Sequence, residues 1–288
     1  MVQKMTRPGL FIPSSFLKFA MTVILLTTTV LPGMARSLMP TNCDIRLSGQ
    51  RTEANMNNSL NSKDSMKKKI LFVVTSHDKV GNTGKPTGYY LSEVTHPWKV
   101  LVDAGYEIDF VSPKGGKAPV DGFNLDDAVN KEFWENSDYR NKISNTMKPS
   151  EVKADDYAVI FYAGGHGTMW DFFENKELAE IARKIYEAGG IISAVCHGPS
   201  ALVNIKLSNG KYLVDGKRVN AFTNEEEKAV NLDNVVPFLL ESKLIERGAK
   251  FEKSDMWQPH VTVDQRVVTG QNPQSAQNVG EAILRELK

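Results

Sequence analysis

The chain has 288 residues, 41% apolar and 24% charged, the balance of a globular protein with room for one large α/β domain or two small ones. Its 35 Lys and Arg against 34 Asp and Glu leave a net charge of +1, which argues against a nucleic-acid binder working through a strong basic field and against a disordered acidic chain. Two cysteines exclude a disulfide-built scaffold and a Cys-rich zinc module.

The N-terminus differs from the rest. Within residues 1–35 the only charges are Lys4, Arg7 and Lys18, all positive, followed by an apolar stretch over 19–31. That stretch is too short to cross a ~30 Å hydrocarbon layer comfortably, and Gly33-Met34-Ala35 supplies the small residues that a signal peptidase reads. The pattern predicts a signal peptide over 1–35 and a periplasmic or secreted protein with no stable membrane association after cleavage. Two other readings stay open: an uncleaved anchor, or a start at Met66, which would leave a cytoplasmic protein. Residues 36–66 are polar and rich in Asn and Ser, a flexible tether. Cys43 lies there outside any lipidation context, and two cysteines alone do not decide whether it pairs with Cys196.

Residues 67–288 read as a single domain of alternating strands and helices. Continuous apolar runs over 70–75, 108–112, 157–162, 190–195 and 267–269 predict strands buried on both faces, hence a mostly parallel sheet covered by helices. Helices are predicted over 88–104, 176–188, 234–247 and 273–287, with Gly105, Gly189 and Gly248 as stops for three of them. Pro97 should kink the first helix, or start a second one capped by Thr95 or His96. The order gives a three-layer, doubly wound α/β fold of flavodoxin-like type.

The chemistry gathers at two strand ends. In Ala194-Val195-Cys196-His197-Gly198-Pro199 a buried strand runs straight into a cysteine and then a helix. Cys196 must occupy a sharp turn at the carboxyl edge of the sheet, where open α/β sheets place ligands. A helix N-terminus aimed at the sulfur should lower its pKa and favour thiolate. This is the device of the nucleophile elbow, with Cys in place of Ser. The alternative is a buried structural cysteine; the His-Gly-Pro that follows favours the functional reading. The second strand end is Ala163-Gly164-Gly165-His166-Gly167, whose glycines let backbone N–H groups point at a bound oxygen. Gly165 and His197 N–H groups would form an oxyanion site facing Cys196, with Gly164 beside them and His166 as a substrate-side acid or a wall.

Together with Thr87-Gly88-Tyr89-Tyr90-Leu91-Ser92-Glu93-Val94-Thr95-His96-Pro97, these motifs resemble the ThiJ/PfpI superfamily, whose fold is like that of class I glutamine amidotransferases. The first-helix sequence resembles one branch, the glutathione-independent glyoxalase III-like proteins, also described as stress chaperones and deglycases. The resemblance runs from about residue 68 to 288. It implies Cys196 as nucleophile, His197 as its base, and Glu93 as a carboxylate reaching the sulfur from the first helix. The third triad member falls in Phe222-Thr223-Asn224-Glu225-Glu226-Glu227, where spacing selects Glu227 and a slip of register would select Glu226.

What the resemblance implies is conversion of a small 2-oxoaldehyde such as methylglyoxal to lactate, without a cofactor, with His197 or Glu93 shuttling the proton. Alternatives are a PfpI-type peptidase or amidase, an amidotransferase-like hydrolase, or a chaperone or redox sensor. Relatives of this kind commonly form homodimers, but no interface is legible in the sequence. Nothing in the linear spacing of His77, His96 and His260 forms a zinc motif, so no metal is expected.

Overall fold

The computed structural model describes residues 69–288. The expected signal peptide, the tether, Cys43 and the alternative start at Met66 therefore lie outside the described residues. No described helix is long and apolar enough to cross a membrane.

A six-stranded sheet forms the centre. Its strands are β1 (Lys69–Val73), β3 (Glu107–Val111), β5 (Val159–Tyr162), β6 (Ile191–Val195), β9 (Val261–Asp264) and β10 (Val267–Gly270). They lie in the order β3-β1-β5-β6-β10-β9 and are parallel apart from β9, which pairs antiparallel with β10. The chain steps to one side of β1 for β3 and to the other for β5, so the sheet has a switch point there. Two short pairs stand apart: β2 (Tyr89–Tyr90) with β4 (Val120–Asp121), and β7 (Arg218–Val219) with β8 (Lys250–Phe251).

The continuous hydrophobicity of the strands has a direct explanation in the layers. Alternate residues of β1 enter opposite cores: Ile70 and Phe72 on one face, Leu71 and Val73 on the other, all fully buried. The first face is covered by α1 (Leu91–Asp103), α2 (Ala128–Glu135), α3 (Ser137–Ser144) and α8 (Ala276–Glu286). The second is covered by α5 (Lys176–Glu187) and α7 (Leu240–Glu246), with the short α4 (Thr168–Asp171) above it.

Several expectations need correction. Pro97 neither kinks α1 into two nor starts a new helix: one helix runs through it from an N-cap at Tyr90. Proline removes only the N–H that would bond the Glu93 carbonyl, and the ring is buried against α8, where Gly280 lets the two helices approach. Thr95 and His96 do not cap. Thr95 bonds Asn130, and His96 Nε2 sits 3.1 Å from Asp127 Oδ2. The helix expected over 234–247 starts only at Leu240, because Pro237 disfavours helical backbone in the residue before it. The C-terminal helix expected from residue 273 opens with a 3-10 turn, Pro273–Ser275. The helix expected after Cys196 is also a 3-10 segment, Gly198–Asn204.

The α1–α8 contact positions Glu93, and it is tight. A Cβ on Gly280 would stand 2.9 Å from Pro97 Cα and 3.3 Å from Val100 Cβ. Gly280→Val should therefore lower unfolding free energy by roughly 1–3 kcal/mol through overpacking, read as a reduced urea midpoint with unchanged slope. A wild-type midpoint would show that α1 is not held where it is described.

Candidate active site

Three chain segments converge at the carboxyl edge of the sheet: the start of α1, the loop after β5 and the turn after β6. Cys196 occupies that turn with φ +59°, a left-handed conformation rare for a residue with a side chain. Its N–H donates to the Gly270 carbonyl at 2.9 Å and its carbonyl accepts from Phe222 N–H at 2.8 Å. The strained residue is thus locked by β10 on one side and the 222 segment on the other. The thiol is free and 3% exposed.

His197 follows at once, with Nδ1 3.3 Å from the Cys196 sulfur. Its Nε2 is 2.7 Å from Glu227 Oε2, while Glu227 Oε1 is 3.0 Å from His166 Nε2. Burial alone would raise the Glu227 pKa, but the attraction of His197 and the hydrogen bonds from His166 and His197 outweigh it and hold the carboxyl at about 2. Burial and the neighbouring His166 lower the pKa of His197 despite the pull of Glu227. Both directions describe one state at neutral pH: an ionised glutamate beside a neutral His197 imidazole. A carboxylate only accepts, so each histidine donates to Glu227 from an Nε2–H. The bare Nδ1 of His197 then faces the thiol, as a general base requires.

Glu93, the third residue of α1, is fully buried. Its Oε2 accepts the Gly164 N–H at 2.9 Å. Oε1 has no hydrogen-bond partner among the described residues, although the carboxyl is near enough to the sulfur for each to shift the other's titration. Burial pushes its pKa up to about 8, against the opposing pulls of Cys196 and the Gly164 N–H. At neutral pH Glu93 is mostly a neutral acid able to donate a proton. Its place in the first turn of α1, where the helix dipole favours negative charge, does not offset desolvation.

Two expectations change here. The thiol pKa is raised, first by burial and then by Glu93, with the His197 N–H pulling only partly the other way. The helix-dipole argument for a resting thiolate fails because the segment after Cys196 is a 3-10 turn and a carboxyl stands against the sulfur. Gly164 also has a different job. Its N–H is committed to Glu93, so it is not available to a substrate oxygen. A Cβ on Gly164 would fall 2.4 Å from Glu93 Oε2 and 2.9 Å from His197 N, which explains the glycine. Gly165 has φ +104°, and a Cβ there would strike the Gly88 carbonyl at 2.2 Å.

Of the two candidate glutamates, Glu227 meets His197 and Glu226 does not. Glu226 closes the capping box of α6 (Asn224–Ala229) through Thr223, and its Oε1 accepts from the Trp257 N–H, Gln271 and Asn272. Sequence reasoning missed the His166–Glu227 contact, and also Thr168, whose Oγ1 lies 3.0 Å from both the Gly165 and His197 carbonyls and ties the two loops together. It also missed the aromatic wall: the Phe222 ring lies 4.3 Å from that of His197 and 5.7 Å from that of Trp257. A cleft of about 280 Å³, lined by Tyr106, Tyr157 and Arg266 among others, sits at the opposite edge of the sheet and offers no cysteine or histidine.

Against known proteins, the family model described as "DJ-1/PfpI family" matches residues 86–286. The chain belongs to the DJ-1/PfpI family. Within it, this DJ-1/PfpI chain is 32% identical over 237 residues to the glutathione-independent glyoxalase HSP31 of Saccharomyces cerevisiae, covering 77% of this chain and 98% of that protein. It is also similar to the crystal structure of glyoxalase III from Candida albicans, with a TM-score of 0.72 and 30% identity over 77% of this chain and 98% of that one. The Francisella tularensis Rapid Encystment Protein 24 kDa has a TM-score of 0.74 and 41% identity, over 76% and 99% of the two chains.

The titration of Glu93 has a consequence for stability. Folded, its carboxyl keeps its proton to about pH 8, whereas in the unfolded chain it ionises near 4.5. Between those values unfolding releases a proton, so wild-type stability falls as pH rises. Glu93→Gln removes this loss. The variant should match wild type near pH 4.5 and exceed it by on the order of 4 kcal/mol at pH 8 in urea unfolding. Glu227 does not interfere in that window, since its contribution is lost only as pH falls from 4.5 toward 2. Parallel stability profiles for the two proteins from pH 5 to 8 would contradict a neutral buried Glu93.

Proposed function

We propose that this chain is a glutathione-independent glyoxalase that converts methylglyoxal to lactate with Cys196 as nucleophile. One observation carries the reading: a buried thiol flanked by a base on one side and a neutral carboxylic acid on the other, in a chain that covers nearly the whole length of two glyoxalase relatives.

The geometry supplies the steps. His197 Nδ1 takes the thiol proton as the sulfur adds to the aldehyde carbon, and the resulting imidazolium is stabilised by ionised Glu227. The hemithioacetal oxygen rests on the N–H groups of Gly165 and His197 and gains its proton from neutral Glu93, which leaves the Glu93 carboxylate as the base for the next step. A base then removes the C1 hydrogen as a proton, giving an enediol, and a proton returns at C2. The product is the thioester of lactate, which water hydrolyses to lactate and free thiol. Oxidation at C1 and reduction at C2 cancel within one molecule, so the reaction balances without an external redox partner. Glu93, whose carboxyl acts on the thiol and whose Oε1 is unengaged, is the group best placed to carry the proton between the two carbons. The raised thiol pKa suits this order of events: the thiol is activated by proton transfer during attack instead of resting as thiolate.

The purified protein should form lactate from methylglyoxal without glutathione. Cys196→Ala should abolish turnover, and Glu227→Gln, which leaves the His197 base without its counter-charge, should lower kcat by roughly 10²–10⁴-fold. Full activity in Cys196→Ala would overturn the scheme, and ammonia from glutamine with no lactate from methylglyoxal would move the chain to the amidase reading.

The location rests on the sequence alone. The positive start, apolar stretch and small-residue exit of residues 1–35 support export. Expression of the full chain should then give a mature protein beginning at Arg36, detected by N-terminal sequencing of the exported fraction. An intact Met1 in a soluble cytoplasmic fraction would refute it.

A further inference from the structure

The active-site wall contains a donor set that the proposed reaction does not need in that form. His166, His197 and Glu227 each bring one ligand atom to a common point, all within 4.8 Å of one another. The sequence hides this group, because its members come from three separate segments: the loop after β5, the turn after β6, and α6. Two imidazoles and a carboxylate on three different supports form a set that zinc accepts, three protein ligands with the fourth position open. Tetrahedral zinc at about 2.0–2.2 Å from each ligand wants its donors roughly 3.4 Å apart. Glu227 now spans the two rings, with Oε1 3.0 Å from His166 Nε2 and Oε2 2.7 Å from His197 Nε2, so a metal entering between them needs the carboxylate to turn and the rings to adjust within a set already inside 4.8 Å. His197 and Glu227 are almost completely buried, and His166, with about a fifth of its side chain exposed, supplies the entry from solvent.

We propose that His166, His197 and Glu227 form an inhibitory Zn²⁺ site superimposed on the catalytic triad. The proposal rests on the glyoxalase reading for its effect on turnover, but not for the binding itself. The logic lies in a shared atom. In the triad, His197 Nε2–H donates to Glu227 and leaves Nδ1 bare for the thiol. Zinc on Nε2 moves the ring proton to Nδ1, the atom facing the sulfur, so no proton is gained or lost by the ring. The thiol proton then has no acceptor, and Glu227, now a metal ligand, no longer steadies the ring. Metal binding and turnover therefore exclude each other. His166 takes no part in the proposed proton transfers, yet it completes the ligand set. Zn²⁺ suits two imidazoles and a carboxylate better than the hard cations Mg²⁺ and Ca²⁺, which prefer oxygen.

The test titrates the full-length protein with ZnCl₂ in competition with a chromophoric chelator, alongside lactate formation from methylglyoxal. Wild type should bind one equivalent at this site, with activity lost in step and restored by EDTA. His166→Gln and Glu227→Gln should each weaken that binding at least tenfold, with circular dichroism checking that they are folded. Cys196→Ser should keep the binding, because the sulfur is not a ligand. Binding unchanged in both His166→Gln and Glu227→Gln would overturn the proposal, as would binding lost in Cys196→Ser, which would place the metal on the thiol. A wild type that binds zinc through these residues but makes no lactate would uphold the site and sink the glyoxalase reading instead.

Discussion

The hydrogen bond from Gly164 N–H to Glu93 Oε2, 2.9 Å long and fully buried, is the constraint on which the site depends. It joins the first helix to the loop after β5, and that loop is pinned to the nucleophile turn by Thr168. Only a glycine at 164 permits it, because a side chain there would overlap the carboxyl and the His197 backbone. Burying a carboxyl this completely is unfavourable unless it is protonated or well partnered. The protein meets that condition with one backbone donor and a retained proton. The result is an acid in its neutral form at a pH where free glutamates are ionised, which is what a proton shuttle near neutrality needs.

The same low-polarity surroundings act in opposite directions on the two carboxyls of the site. Glu93 has a single N–H and no cation, so desolvation decides and its pKa rises to about 8. Glu227 is nearly as buried but receives two imidazole N–H donors, and its pKa falls to about 2. Neighbours whose environments push their pKa values apart take different protonation states and hence different roles. One keeps its proton at neutral pH, and the other is a permanent negative charge that fixes the tautomer of His197. Between them stands a thiol that burial keeps protonated until a substrate arrives.

Much of this was legible in the sequence, for physical reasons that can be named. Strands covered on both faces must be apolar at every position, so β1, β5 and β6 stood out as continuous runs, and a cysteine ending one of them had to be at the carboxyl edge. The helices α2 and α3 were invisible because each buries so little: Phe133 and Asn130 in one, Ile143 in the other, which leaves no apolar period to read. Strand β9 alternates at an antiparallel edge and is only partly buried, so it lacks the continuous run of its neighbours. Glu93 and Glu227 were reached by motif and spacing, but their opposite protonation states were not, since those depend on how many donors each meets in three dimensions.

The thiol shows most clearly where linear reasoning runs out. From the chain alone, a strand–Cys–helix sequence suggests a helix dipole acting on sulfur. Gly198-Pro199 and the following residues instead wind as 3-10 backbone, whose N-terminus is a weaker source of positive potential, and a helix 100 residues away in the chain delivers a carboxyl to the same sulfur. Two remote contributions, burial and Glu93, thereby outweigh one local contribution. The elbow still does its work, because its task is geometric: φ +59° turns the sulfur toward His197 Nδ1 and keeps the His197 ring on Glu227. In the proposed reaction, reactivity then comes from the relay and not from a resting charge. That arrangement also keeps a buried thiol in its less easily oxidised protonated form between turnovers, since oxidation follows thiolate character and exposure.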